Sequence, residues 1–276
     1  MKKIYSSLLL IFLFSKSFAG NEIFPVGARA AGMGNAAVTL NDMWSAFQNQ
    51  AGTAYLNHVN VGIYNEVRFG LKELSLNAFV VAVPIKNVGT FSLSATYFGY
   101  KLYNEQKIGL AYARKFGNNF SAGLQINYLG THIADEFYGN KASFAIEGGV
   151  RALILPKLTM GFYIFNPTLS GLADYDNENI PTTMKLGLSY EFNDKVILAI
   201  EAEKATEAKA IFKAGFEYRI ANPLYLRMGL STNQNAYYFG FGLALKQIKI
   251  DFTASFNQTL GFTPHTGLSY EFKKEE

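Results

Sequence analysis

The chain has 276 residues, of which 49% are hydrophobic and 15% aromatic, and it contains no cysteine, which excludes disulfide staples and thiolate metal sites. No internal apolar run reaches the eighteen or so residues that a spanning helix needs. The formal charge of +4 includes Lys2, Lys3 and Lys16 of a leader-like start; without those three, the 25 basic residues fall to 22 against 21 acidic ones, a balance that gives no pull toward nucleic acid.

Residues 1–19 read as a secretory signal. Lys2 and Lys3 precede an apolar stretch over 4–14, and Ser17-Phe18-Ala19 supplies a small-x-small cleavage site. Residues 20–58 alternate poorly and are rich in Gly and Ala, with a short helix predicted over 40–47 and Asn41 as its cap. The glycines of this segment lack the Gly-Lys-Ser/Thr of a nucleotide loop.

From residue 59 onward one pattern repeats: about ten residues of alternating large apolar and small or polar side chains, a turn, then the same again. Strands are predicted at 59–69, 73–84, 88–98, 105–116, 119–131, 141–154, 157–165, 182–192, 195–204, 210–220, 224–232, 236–245, 248–257 and 264–272. The clearest is 236–245, where Tyr237, Phe239, Phe241, Leu243 and Leu245 oppose Tyr238, Gly240, Gly242 and Ala244. Connections after even strands are tight, such as Gly117-Asn118 and Asn193-Asp194, whereas those after odd strands are longer on average, up to 166–181 with Asp174, Asp176 and Glu178. Nearly every strand alternates and no helical layer is left to cover the apolar side, so lipid is the expected cover. The fold class is therefore all-β, a transmembrane antiparallel barrel of about fourteen strands over 59–276, in the bacterial outer membrane with both termini periplasmic.

The face opposite the apolar stripe carries Glu66, Arg68, Glu147, Arg151, Glu191, Glu201, Glu203, Lys213, Glu217, Arg219, Arg227, Lys249, Asp251 and Glu271. A lysine or arginine at the bilayer midplane costs about 2–4 kcal/mol, so these groups are expected in the lumen as an ion-pair network. A serine at Gly242, on that same face, is expected to be far milder than a lysine at Phe241. Rings near strand ends, including Tyr97, Tyr112, Phe116, Tyr128, Tyr190, Phe192, Tyr218 and Phe272, suit the headgroup boundary. His58, His132 and His265 are scattered without Ser or Asp companions at motif spacing, which leaves no catalytic residue, metal site or cofactor to assign. Residues 20–58 most simply form a hatch that plugs a lumen too wide for wall side chains to fill.

Gly27-Ala28-Arg29-Ala30-Ala31-Gly32-Met33-Gly34-Asn35-Ala36 resembles the start of the FadL-like outer-membrane proteins, including the PorV and PorQ group of Bacteroidetes. Ala46-Phe47-Gln48-Asn49-Gln50-Ala51-Gly52 is similar to that family's Asn-Pro-Ala-Gly stretch, with Gln50 standing where the family usually has proline. The resemblance implies a fourteen-stranded barrel with an N-terminal hatch, and it points to Gly27, Arg29, Gly32, Gly34, Asn35, Asn49, Gln50, Ala51 and Gly52 as hatch residues. Family members divide into passive carriers of hydrophobic small molecules and non-transporting partners of type IX secretion. The short loops favour the second role here, with other outer-membrane or secreted proteins and membrane lipid as partners. Uptake of a hydrophobic small molecule is the alternative.

Overall fold

The computed structural model describes residues 24–135, 139–171, 180–206, 208–233 and 236–273. It contains fourteen strands: β1 (Asn60–Val67), β2 (Ser75–Ile85), β3 (Gly89–Gly99), β4 (Tyr103–Phe116), β5 (Phe120–Ile133), β6 (Asn140–Leu155), β7 (Leu158–Phe165), β8 (Thr183–Asn193), β9 (Val196–Ala205), β10 (Ile211–Ala221), β11 (Leu224–Ser231), β12 (Ala236–Leu245), β13 (Ile248–Asn257) and β14 (Gly261–Glu271). Every strand pairs antiparallel with its sequence neighbours, and β1 pairs with β14 from Asn60↔Glu271 to Glu66↔His265, so the sheet closes and no edge is left to aggregate. The leader-like residues 1–19 and the acidic Asp174, Asp176 and Glu178 lie outside the described residues.

The period of two sorts side chains to the two faces. Outward, Leu124 and Phe144 are 67% and 66% exposed, and comparable side chains cover the rest of the wall. Such an exterior suits hydrocarbon and would aggregate in water. The rings expected at the strand ends, Tyr97, Tyr112, Phe116, Tyr128, Tyr190, Phe192, Tyr218 and Phe272, all lie on this exposed side. Inward, the wall is built around residues 24–57, which occupy the lumen. A methyl added at Gly149, Gly161 or Gly229 would collide with Asn49, Val38 and Gly34 respectively, so glycine at these wall positions is what lets the inserted segment reach the sheet. Asn60 and Glu271 are partners, which puts the start of β1 and the end of β14 together on the rim of the two-residue turns at 156–157, 194–195, 222–223 and 246–247.

Several local expectations are corrected. Residues 40–47 do not form a helix capped by Asn41; the helix here is Ser45–Gln48, and the Asp42 carboxylate accepts from the Trp44 N–H at 2.9 Å. The first strand stops at Val67 because Phe69 takes a left-handed φ of 54° and the chain enters 3-10 turns, so Arg68 sits in a turn rather than on the wall. Glu191 and Arg219 have inward parity but stand at the short-turn rim beside register shifts, Glu191 exposed and Arg219 half-buried, and so do not reach the lumenal interior. Lys249 is exposed at the same rim, and Glu271 pairs with Lys273 at 3.2 Å.

The faces make a direct prediction. Phe241 lies mid-strand on the outer wall with its ring 5.5 Å from that of Phe252. Replacing it by lysine is expected to cost about 2–4 kcal/mol of barrel stability, measured by urea unfolding in lipid vesicles, with Phe241→Leu close to the parent. Gly242→Ser is not free of cost either, because a Cβ there would meet Asp251 Oδ1 at 2.5 Å and the Arg227 guanidinium at 2.7 Å, so the ends of that ion pair must shift.

Candidate functional site

The inserted segment begins with a short helix, α1 (Ala28–Gly32), entered through Gly27 at φ 111°. Gly34 and Asn35 follow with φ of 64° and 62°, and their N–H groups return to Ala31 O and Ala30 O at 2.9 and 2.8 Å. Two left-handed residues in succession stop the helix and satisfy its last carbonyls, a geometry that glycine and asparagine adopt most readily. A second helix, α2 (Ser45–Gln48), leads into a 3-10 helix at Gln50–Tyr55 whose first turn is held by Asn49, its side-chain oxygen accepting from the Ala51 N–H at 3.2 Å. Gly52 packs against Leu40 and Ser45 so closely that a Cβ would displace backbone. Gly32 lies against Arg227 and Thr253 of the wall.

Charged and polar wall residues grip this segment along β5 to β13. Arg29 donates to both oxygens of Glu217 at 2.8 and 2.6 Å and to Asp42 at 3.0 Å. Burial lowers the Arg29 pKa, but the Glu217 and Asp42 carboxylates raise it by more, so the guanidinium stays charged. Glu217 also accepts from Arg227 at 2.6 Å, and Arg227 donates to Asp251 at 2.6 Å, making one chain of five alternating charges from Asp42 to Asp251. Glu201 takes the backbone N–H groups of Ala37 and Val38 on one oxygen, each at 2.8 Å, and Lys213 on the other at 2.9 Å. Lys213 also pairs with Glu203. Arg151 donates to Thr39 O at 2.8 Å, Ser121 to Ala51 O at 2.9 Å and Thr253 to Ala28 O at 2.7 Å.

Glu147 is fully buried and holds the largest cluster. One oxygen accepts from Gln50 at 2.7 Å and Gln125 at 2.6 Å; the other accepts from Lys107 at 2.8 Å and the Tyr163 hydroxyl at 2.6 Å. Gln50 therefore links the inserted segment to the wall, which a proline at that position could not do. Asn49 adds donations to Val38 O at 2.7 Å and Val150 O at 3.0 Å. Lys107, Tyr163 and Gln125 were not prominent in the sequence; their signal was only inward parity with Glu147.

The opposite side of the lumen is chemically different. Val26, Trp44 and Phe47 pack with Tyr64 of β1 and with Leu76, Ala78, Val80 and Ala82 of β2, and Phe24, Leu56 and Phe98 complete the cluster. Among the described residues, no hydrogen bond joins residues 24–57 to β1, β2 or β3. Sequence alternation does not reveal this face, because β2 is apolar on both sides, with Phe79, Val83 and Ile85 pointing outward. That double-sided apolarity is the signal that could have found it: an inward apolar row needs an apolar cover.

Near the rim of the longer connections a third cluster sits at the seam of the barrel. Arg68 donates to Glu66 at 2.7 Å and lies over the rings of Phe24 and Phe98 at 4.4 and 5.2 Å. Glu66 accepts from the Tyr64 hydroxyl at 2.9 Å, and Tyr64 meets His265 Nδ1 at 2.8 Å. Spacing along the chain gave His265 no companions; closure of β14 on β1 supplies them.

No family model matches the sequence, and no curated protein matches it. The fold has close counterparts among solved structures. The CymD monoaromatic hydrocarbon channel superposes with a TM-score of 0.73 at 13% identity, over 93% of this chain and 100% of that one. The Pseudomonas putida toluene transporter TodX gives 0.67 at 11% identity, over 92% and 100%. A Pseudomonas aeruginosa FadL homologue gives 0.62 at 14% identity, over 91% and 99%. At these identities the likeness establishes a shared barrel architecture.

Proposed function

We propose that this chain is a bacterial outer-membrane channel for passive uptake of hydrophobic small molecules, with residues 24–57 as its hatch and both ends of the barrel on the periplasmic rim. The observation that carries this reading is the lopsided seat of the hatch. On the side of β5 to β13 it is held by buried charges and hydrogen bonds that are costly to part. Against β1 to β3 no hydrogen bond ties it to the wall among the described residues, and its packing on Tyr64 and β2 is apolar, so a seam there can open around an apolar solute without breaking a polar link to the hatch. The hydrocarbon channels and toluene transporter that share the architecture support the same reading. The short described loops favour an accessory role in type IX secretion on sequence grounds, but no contact surface or structural neighbour adds to that role. The alternative drawn from the sequence is therefore the one adopted.

The test is uptake of a radiolabelled monoaromatic hydrocarbon by Gram-negative cells displaying the protein, against cells displaying a barrel of unrelated lumen. Faster uptake is expected, and Ala78→Trp, which fills the seam, is expected to abolish the gain while leaving the protein assembled. Equal uptake with and without the protein would sink the proposal.

A further inference from the structure

We propose that Ser255 is an activated nucleophile that accepts an acyl or phosphoryl group from an electrophilic ester entering the outer end of the lumen. Ser255 lies two positions before the end of β13, on the inward face, with its Oγ 2.9 Å from His265 Nε2. A competing contact to Thr263 O is longer, at 3.5 Å. The direction of each proton follows from the partners. Glu66 can only accept, so the Tyr64 hydroxyl gives it its proton; Tyr64 oxygen must then accept from His265 Nδ1–H, which leaves Nε2 as the acceptor for Ser255. Arg68 also donates to Glu66 at 2.7 Å, on the oxygen that Tyr64 does not use. The result is a nucleophile, a base within hydrogen-bond reach, and a third group that orients the base, which is the arrangement that activates a serine.

Exposure divides the cluster in the same sense. Tyr64, Glu66 and His265 are buried, whereas Ser255 is half-buried, so of these four the most accessible residue is the proposed nucleophile. In the covalent step, the Ser255 Oγ bonds to the electrophilic carbon or phosphorus, the bond to the leaving group breaks, and the serine proton passes to His265 Nε2. The imidazolium so formed is stabilised by Glu66 through Tyr64. With a carboxylic ester, that proton then leaves on the departing alcohol.

The probe is diisopropyl fluorophosphate, added to the full chain in detergent micelles and followed by peptide mass spectrometry. Fluoride is the leaving group. One adduct per chain on Ser255 is expected, slowed roughly a hundredfold or more by His265→Gln, as loss of a general base does. Tyr64→Phe keeps the ring and removes the link to Glu66; slower labelling is expected in a barrel whose Trp44 fluorescence and heat-modifiable migration match the parent. That variant carries the test if His265→Gln does not assemble. Absence of a Ser255 adduct, or equal labelling of the chain's other serines, or an unchanged rate in folded Tyr64→Phe, would overturn the proposal.

Discussion

Glu147→Ala is expected to destabilise the protein by about 3–5 kcal/mol and to free the hatch before the wall unfolds. The carboxylate is entirely buried and accepts from four side chains, so its loss leaves the Lys107 ammonium without a counter-charge and the buried Tyr163 hydroxyl without a partner. Gln50 loses its link to the wall at the same stroke, keeping only a 3.2 Å donation to Ala46 O within the hatch. The single tryptophan of the chain, Trp44, sits in the hatch against Tyr64, with ring centroids 6.1 Å apart. Its fluorescence therefore reports hatch release, while far-ultraviolet circular dichroism reports the wall. In a urea titration the parent is expected to lose both signals together, and Glu147→Ala to lose the tryptophan signal first. A double variant, Glu147→Leu with Lys107→Met, removes both charges and is expected to recover much of the loss, because a buried pair replaced by apolar groups of similar size is often neutral. A single variant with parental midpoints would contradict the role given to Glu147.

The wall was legible in the sequence because two of its constraints act on every strand. Hydrocarbon outside and a packed, polar lumen inside force alternation, as in Tyr237 to Leu245, and the short-turn rim demands residues such as Asn193-Asp194 at regular intervals. Legibility failed where a residue answers to something far away in the chain. Gln50 in place of proline reads as a broken bend until Glu147 is seen opposite it. His265 reads as solitary until barrel closure sets Glu66 across from it. The helix expected over 40–47 followed local apolar spacing, but residues 36–40 are committed instead to reaching Glu201 through their backbone N–H groups and to passing Gly161 and Gly187 of the wall. β2 shows the same limit from the other side: its inward apolar row follows from the hatch face that covers it, and alternation alone assigns that row to neither face.

Removing residues 24–57 is expected to turn a closed barrel into an open pore. The wall does not depend on the hatch for its backbone hydrogen bonds, since the ladder runs unbroken from β1 round to β14. What the hatch covers is a lumen whose wall is cut back to glycine at several of the closest approaches, as at Gly149, Gly161 and Gly229. Without the hatch those positions have no side chain with which to refill the space, and a fourteen-stranded ring is too wide to close over it. Discrete, long-lived conductance steps are expected in planar bilayers where the intact protein gives none. Acidic groups such as Glu147, Glu201, Glu217 and Asp251 and basic groups such as Lys107, Arg151, Lys213 and Arg227 alternate round the exposed lumen, so selectivity between small cations and anions is expected to be weak. Heat-modifiable migration on gels establishes whether the shortened chain still closes. A shortened barrel that closes yet stays electrically silent would mean that the lumen is blocked by something other than residues 24–57, and the seam against β1 to β3 could not then be the path of uptake.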